Sequence, residues 1–216
     1  MNSFTAACFD LDGTLIDTEP VHIQAESECL SVLGIYASDP RRPRTFGMGI
    51  ESGMRLLAGT FELDFAAVLN TYLPLWEKGL HANLKMLPGA KGVMAWLSDH
   101  KIPLALVTSG DTAYVDLVDS ALGLKSAFEV IVTSESLQRT KPDPAPYLEA
   151  ARRLGVPPKA CLGFEDSGAG VTALNAAGMF SVAIHPAYGS RPELQTAKLQ
   201  VIDFDSVQPL LGPWFG

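Results

Sequence analysis

The sequence predicts an α/β fold, a doubly wound, Rossmann-like parallel sheet core carrying an inserted small α-helical domain. Three observations predict it. Short apolar runs alternate with helical patterns from residue 90 onward. One helical stretch, from about residue 17 to 87, interrupts that alternation. Polar, chemistry-bearing residues end three of the apolar runs, where open parallel sheets bind their ligands.

The first element is the apolar run 4–9, a buried strand that stops at Asp10-Leu11-Asp12-Gly13. Residues 20–33 read as a helix. Pro20 suits its first turn, Val21, Ala25, Cys29, Val32 and Leu33 form its apolar stripe, and Gly34 stops it. Two prolines and two glycines make 38–49 a loop. Helices follow over 51–58 and 62–76, and Leu87-Pro88-Gly89 closes the region. Beyond it come a helix over 90–98, a strand over 102–107 and a helix over 111–122 capped by Gly123. A strand over 130–133, a helix over 144–154 and a strand over 160–164 continue the series. A helix over 170–177, a strand over 180–184 and an edge strand over 199–202 complete it. Such alternation implies right-handed βαβ crossovers. The expected domains are a catalytic core from 1–16 and 88–216, and an inserted helical domain over 17–87.

Composition narrows the function. The chain has 216 residues, 47% hydrophobic and 19% charged, enough to bury a substantial core. A formal net charge of −8 opposes the phosphate attraction that drives nucleic-acid binding. No run reaches the ~18 apolar residues of a spanning helix, and no basic leader precedes an apolar stretch. The expectation is a cytoplasmic protein without nucleic-acid or membrane partners, and nothing demands more than a monomer. Cys8, Cys29 and Cys161 lack metal-ligand spacing and read as reduced, structural thiols.

The strand ends carry Asp10 and Asp12, Thr108 and Ser109, and Glu165 and Asp166. Any single pair is an ordinary turn former. Gathered at one sheet edge, the four carboxylates repel. Two like charges ~4 Å apart cost about 4 kcal/mol at an effective dielectric near 20. A hard divalent cation removes that cost, and Mg2+ both prefers carboxylate oxygens and bridges to phosphate. Lys141 adds a cation on backbone restricted by Pro142 and Pro144. Such a group is a setting for phosphoryl transfer, where positioning and charge stabilisation dominate.

Asp-Leu-Asp-Gly-Thr at 10–14, Thr-Ser-Gly at 108–110, Lys-Pro-Asp-Pro at 141–144 and Gly-Phe-Glu-Asp-Ser at 163–167 occur in this order. They resemble the four motifs of the haloacid dehalogenase superfamily, and the insertion resembles that family's helical cap. The nearest pattern is the subgroup of β-phosphoglucomutase and small sugar-phosphate phosphatases. The resemblance implies a Mg2+-dependent phosphatase that hydrolyses a small phosphorylated metabolite, such as a sugar phosphate, through an aspartyl-phosphate. A hexose-phosphate mutase is the alternative.

By the same resemblance Asp10 is the nucleophile and Asp12 the general acid and base. Thr108, with the amides of Ser109 and Gly110, holds the phosphoryl group, and Lys141 neutralises its charge. Asp10, the Asp12 carbonyl and Asp166 bind the metal, with Glu165 close by or ligating. Thr18 and His22 match positions that couple the cap to the acid/base aspartate. Asp12 and the Glu165-Asp166 pair disfavour dehalogenation. Where the mutase has basic residues this chain has Phe46-Gly47-Met48-Gly49-Ile50 and Gly110-Asp111-Thr112, which favours hydrolysis. Arg41, Arg42, Arg44 and Arg55 are candidates for charge toward the substrate, and Phe46 and Met48 for an apolar wall.

Overall fold

The computed structural model describes residues 4–36, 38–45 and 50–215. Along the chain run β1 (Ala6–Phe9), β2 (Ile16–Asp17), α1 (Glu19–Val32), α2 (Ile50–Phe61), α3 (Phe65–Asn83), β3 (Lys85–Met86), α4 (Ala90–Asp99), β4 (Leu104–Val107), α5 (Thr112–Leu122), β5 (Val130–Val132), α6 (Ala145–Leu154), β6 (Cys161–Glu165), α7 (Gly168–Ala176), β7 (Phe180–Ile184), β8 (Leu199–Val201) and α8 (Leu211–Phe215). The chain divides into two compact units, Met1–Asp17 with Lys85–Gly216, and Thr18–Leu84.

In the first unit six strands form a parallel sheet in the order β5-β4-β1-β6-β7-β8. All four residues of β1 are fully buried, as expected of a central strand covered on both faces. Phe9 pairs with Leu106 on one side and Phe164 on the other. That register brings the ends of β1, β4 and β6 level. From β1 the chain builds outward through β4 and β5, then returns to β6 on the opposite side. The reversal of direction between β1 and β6 is the kind of switch point where such sheets open a crevice. Beneath it Phe9 stacks on Phe164, with ring centroids 4.7 Å apart, and Phe204 lies 5.4 Å from Phe164.

Both boundaries of the insertion differ from the expectation. Ile16 pairs with Met86 and Asp17 with Lys85 in an antiparallel ribbon, and the Leu87 amide donates to the Leu15 carbonyl. Residues 17 and 85–87 therefore belong with the sheet unit, not with the insertion. Two-residue strands are too short to show a period-two pattern, so the sequence could not announce them.

The second unit is built on α1 and α3, with α2 against α3. Buried Val21, Ala25 and Cys29 of α1 face buried Val68, Tyr72, Trp76 and Leu80 of α3, each series at four-residue spacing. The helix expected over 62–76 instead runs Phe65–Asn83, through Pro74. Asp64 caps it, its carboxylate accepting from the Ala67 amide at 2.8 Å. The apolar stripe continues past the proline, so burial outweighs the one backbone hydrogen bond that proline removes. The three cysteines are free and buried. Among the described residues no helix is long and apolar enough to cross a membrane.

Candidate active site

Asp10 leaves β1 with its amide donating to the Phe164 carbonyl at 3.0 Å, which fixes it between the central strands. Lys141 reaches it from the turn before α6, beyond a cis Lys141–Pro142 peptide. Its ammonium donates to Asp10 Oδ1 at 2.6 Å, Glu165 Oε1 at 2.7 Å and the Val107 carbonyl at 2.8 Å. Three N–H groups thus meet three acceptors in a side chain only 6% exposed. Burial pushes the lysine toward its neutral form, but Asp10 and Glu165 outweigh it and hold the ammonium charged well above its ordinary range. Asp10 is moved the other way. Burial, then the Glu165 charge, raise its carboxyl from 3.8 to about 7 against the pull of Lys141.

Glu165 is fully buried. Its Oε1 accepts from Lys141 and from the Tyr147 hydroxyl at 2.8 Å. Its Oε2 accepts from the amides of Asp166 and Ser167, both at 3.2 Å, and from the Ser167 hydroxyl at 2.9 Å. Both oxygens are therefore engaged by protein donors. Asp166 follows it, accepting from the Thr14 hydroxyl at 3.4 Å. Burial first, then Asp10 and Glu165, push its carboxyl well above the usual range. Gly13 turns with φ +76°, and a side chain there would overlap the Asp166 carboxylate.

Asp10, Glu165 and Asp166 can each offer an oxygen within 4.8 Å of the others. Three carboxylates against one ammonium leave two negative charges in a buried space. An all-oxygen set with that excess fits a hard divalent cation.

At the end of β4, Thr108 is buried and its amide donates to the Val132 carbonyl at 3.0 Å. Thr108 Oγ1 accepts the Gly110 amide at 3.0 Å. The Gly110 amide, expected to hold the phosphoryl group, is thus engaged within its own turn. α5 starts only at Thr112, with Asp111 as its N-cap. Asp12 accepts a hydrogen bond from the Tyr114 hydroxyl.

In the helical unit, Thr18 and His22 are buried, and Thr18 sits at the N-cap of α1. The two ring nitrogens of His22 contact the Tyr72 hydroxyl at 2.7 Å and Thr45 Oγ1 at 2.9 Å. Glu26 lies 3.4 Å from the same ring and accepts from Thr45 and from Arg42, the latter at 2.5 Å. His22, expected to contact the substrate, is one member of a buried polar network, with partners in Tyr72 and Thr45 that no local pattern reveals. Arg41 pairs with Asp39 at 2.8 Å and Arg55 with Glu51 at 2.6 Å, so these cations and Arg42 hold carboxylates of their own unit. Phe46 and Met48 lie outside the described residues, as do Gly47 and Gly49.

Sequence reasoning did not single out Thr14, Tyr114, Tyr147 or Tyr72. Tyr147 left a usable signal: an aromatic with a polar tip, six residues beyond Lys141, in a stretch that reads as a helix. Tyr114, three residues past the N-cap, left none.

A family model described as haloacid dehalogenase-like hydrolase matches residues 4–178. Hexitol phosphatase A of Escherichia coli (strain K12) is 33% identical over 92% of this chain and 91% of its own length. A fructose-1-phosphate phosphatase of the same strain is 30% identical over 84% of this chain and 96% of its own. The crystal structure of a suggested β-phosphoglucomutase from Thermotoga maritima has a TM-score of 0.86 at 26% identity, covering 99% of both chains.

Proposed function

Because this chain belongs to the haloacid dehalogenase-like hydrolase family, we propose that it is a Mg2+-dependent phosphatase of small phosphorylated metabolites, sugar phosphates among them. The observation that carries the reading is the buried Asp10, tied to Lys141 and flanked by Glu165 and Asp166, with Asp12 two residues on. The curated relatives named for phosphorylated sugars and hexitols support the substrate class. The three buried free thiols support a reducing, cytoplasmic setting.

Asp10 attacks phosphorus. The bond from phosphorus to the leaving oxygen breaks, and that oxygen takes the proton of Asp12. Water then attacks the aspartyl-phosphate, Asp12 takes its proton, and Asp10 is released with inorganic phosphate. The Thr108 hydroxyl and the Ser109 amide hold the phosphoryl oxygens. Lys141, with every N–H directed, neutralises charge on Asp10 and on the transferring group. Asp10, Asp166 and the Asp12 carbonyl would hold Mg2+, which supplies charge neutralisation. Glu165 orients Lys141 through Oε1 and the Asp166 backbone through Oε2.

The mutase reading draws on the similarity to the Thermotoga structure. Against it stands the turn after β4. Asp111 caps α5 and Thr112 is held by Glu135, so the turn offers carboxylates where a second phosphate would need cations. Phosphate release from hexose and hexitol phosphates with Mg2+, lost in EDTA and in Lys141→Met, tests the proposal. Full activity in EDTA rejects it. Isomerised product in excess of free phosphate, with a sugar bisphosphate as primer, selects the mutase.

A further inference from the structure

We propose that Tyr114 is a positioning residue for Asp12, fixing the carboxyl group that hands its proton to the leaving oxygen. The inference rests on the phosphatase reading above and adds a residue that none of the four motifs contains.

Two independent features point to it. The first is the hydrogen bond itself, donated by the Tyr114 hydroxyl to Asp12 Oδ1 across 102 residues of sequence. The second is Gly110. A side chain there would overlap the Tyr114 ring, so the ring lies against the backbone of the turn that follows β4. A methyl group at 110 would push the ring aside.

The backbone that carries Tyr114 is pinned on several sides. Asp111 Oδ1 accepts the Tyr114 amide at 2.7 Å. Glu135 Oε2 accepts both the Thr112 amide, at 3.1 Å, and its hydroxyl, at 2.6 Å. The Ser134 amide donates to the Gly110 carbonyl at 2.9 Å. The first turn of α5 is therefore a bracket fixed to the ends of β4 and β5. A phenol on that bracket sets the plane of the Asp12 carboxyl, whose own backbone sits on the turn after β1.

The chemistry says when this matters. As Asp10 forms its bond to phosphorus, the electron pair of the breaking bond moves to the leaving oxygen, which takes the Asp12 proton. An alkoxide needs that proton. p-Nitrophenolate leaves without it. A misplaced acid therefore costs alkyl substrates far more than aryl ones.

The test measures kcat/KM, which reports the first chemical step, on p-nitrophenyl phosphate and on the best alkyl substrate among hexose and hexitol phosphates. Tyr114→Phe is expected to lower the alkyl value on the order of 10- to 100-fold, the scale of a mispositioned catalytic group. The aryl value should change less than about threefold, with KM for the alkyl substrate little altered. Gly110→Ala, which keeps the phenol but displaces its ring, should lower the alkyl-to-aryl ratio in the same direction. Asp12→Asn should show the same selectivity more strongly. Equal losses on both substrates in Tyr114→Phe overturn the inference in favour of a purely structural tyrosine. An unchanged Tyr114→Phe beside a selectively impaired Asp12→Asn overturns the inference and leaves the phosphatase reading standing. Wild-type failure to release phosphate from any monoester overturns both.

Discussion

Asp10→Asn should kill the enzyme and stabilise the protein. In the metal-free state, burial and the Glu165 charge carry the Asp10 carboxyl from 3.8 to about 7. Below about pH 3.8 the group is protonated in folded and unfolded chains alike and contributes nothing. As pH rises toward 7 the unfolded chain gives up the proton and the folded one retains it, so stability falls across that window and levels off above it. The full cost is on the order of 4 kcal/mol at pH 7.5 and about 2 kcal/mol at pH 5, at 1.36 kcal/mol per pH unit. Asparagine mimics the neutral acid and abolishes the cost while Lys141 keeps Glu165. Urea unfolding in EDTA at pH 5 and 7.5 measures the difference. The variant should be the more stable at both, by about 2 kcal/mol more at the higher pH. Mg2+ should raise the stability of the wild type more than that of the variant. A variant less stable than wild type at pH 7.5, or a difference that ignores pH, refutes the reasoning.

Gly13→Ala, at φ +76° and against the Asp166 carboxylate, should raise the Mg2+ concentration for half-maximal activity on the order of tenfold, read by metal titration of phosphate release. Tyr147→Phe removes a buried donor to Glu165 and should cost about 2 kcal/mol of unfolding free energy in a denaturant titration. In the helical unit, burial raises the Glu26 carboxyl, but His22, Thr45 and Arg42 together hold it below 4.5. Its contribution is present above that value and lost as pH falls through the lower, folded one. Glu26→Gln should therefore destabilise by about 3 kcal/mol at pH 7, and by progressively less as the pH falls below 4.5, as followed by tryptophan fluorescence during unfolding.

The sequence by itself determined the sheet and the reactive groups. Apolar runs such as 102–107 and 160–164 are read directly because burial on both faces leaves no polar position to confuse the pattern. Asp10, Lys141 and Glu165 could be nominated because each follows or precedes a strand or helix whose end was legible. Elsewhere local signals misled. The helix expected to end at residue 76 continues to Asn83, because Gly79 and Leu80 stay buried within the helical unit. The ribbon of Ile16–Asp17 with Lys85–Met86 depends on a partner some 70 residues away and carries no local mark. Only the tertiary structure decided what each polar group spends its bonds on. It turned His22 toward Tyr72 and Thr45, filled both oxygens of Glu165, tied the Gly110 amide to Thr108 and set Tyr114 on Asp12. Hydrogen bonds between distant residues are fixed by geometry that burial creates, whereas the periodicity of burial is written along the chain.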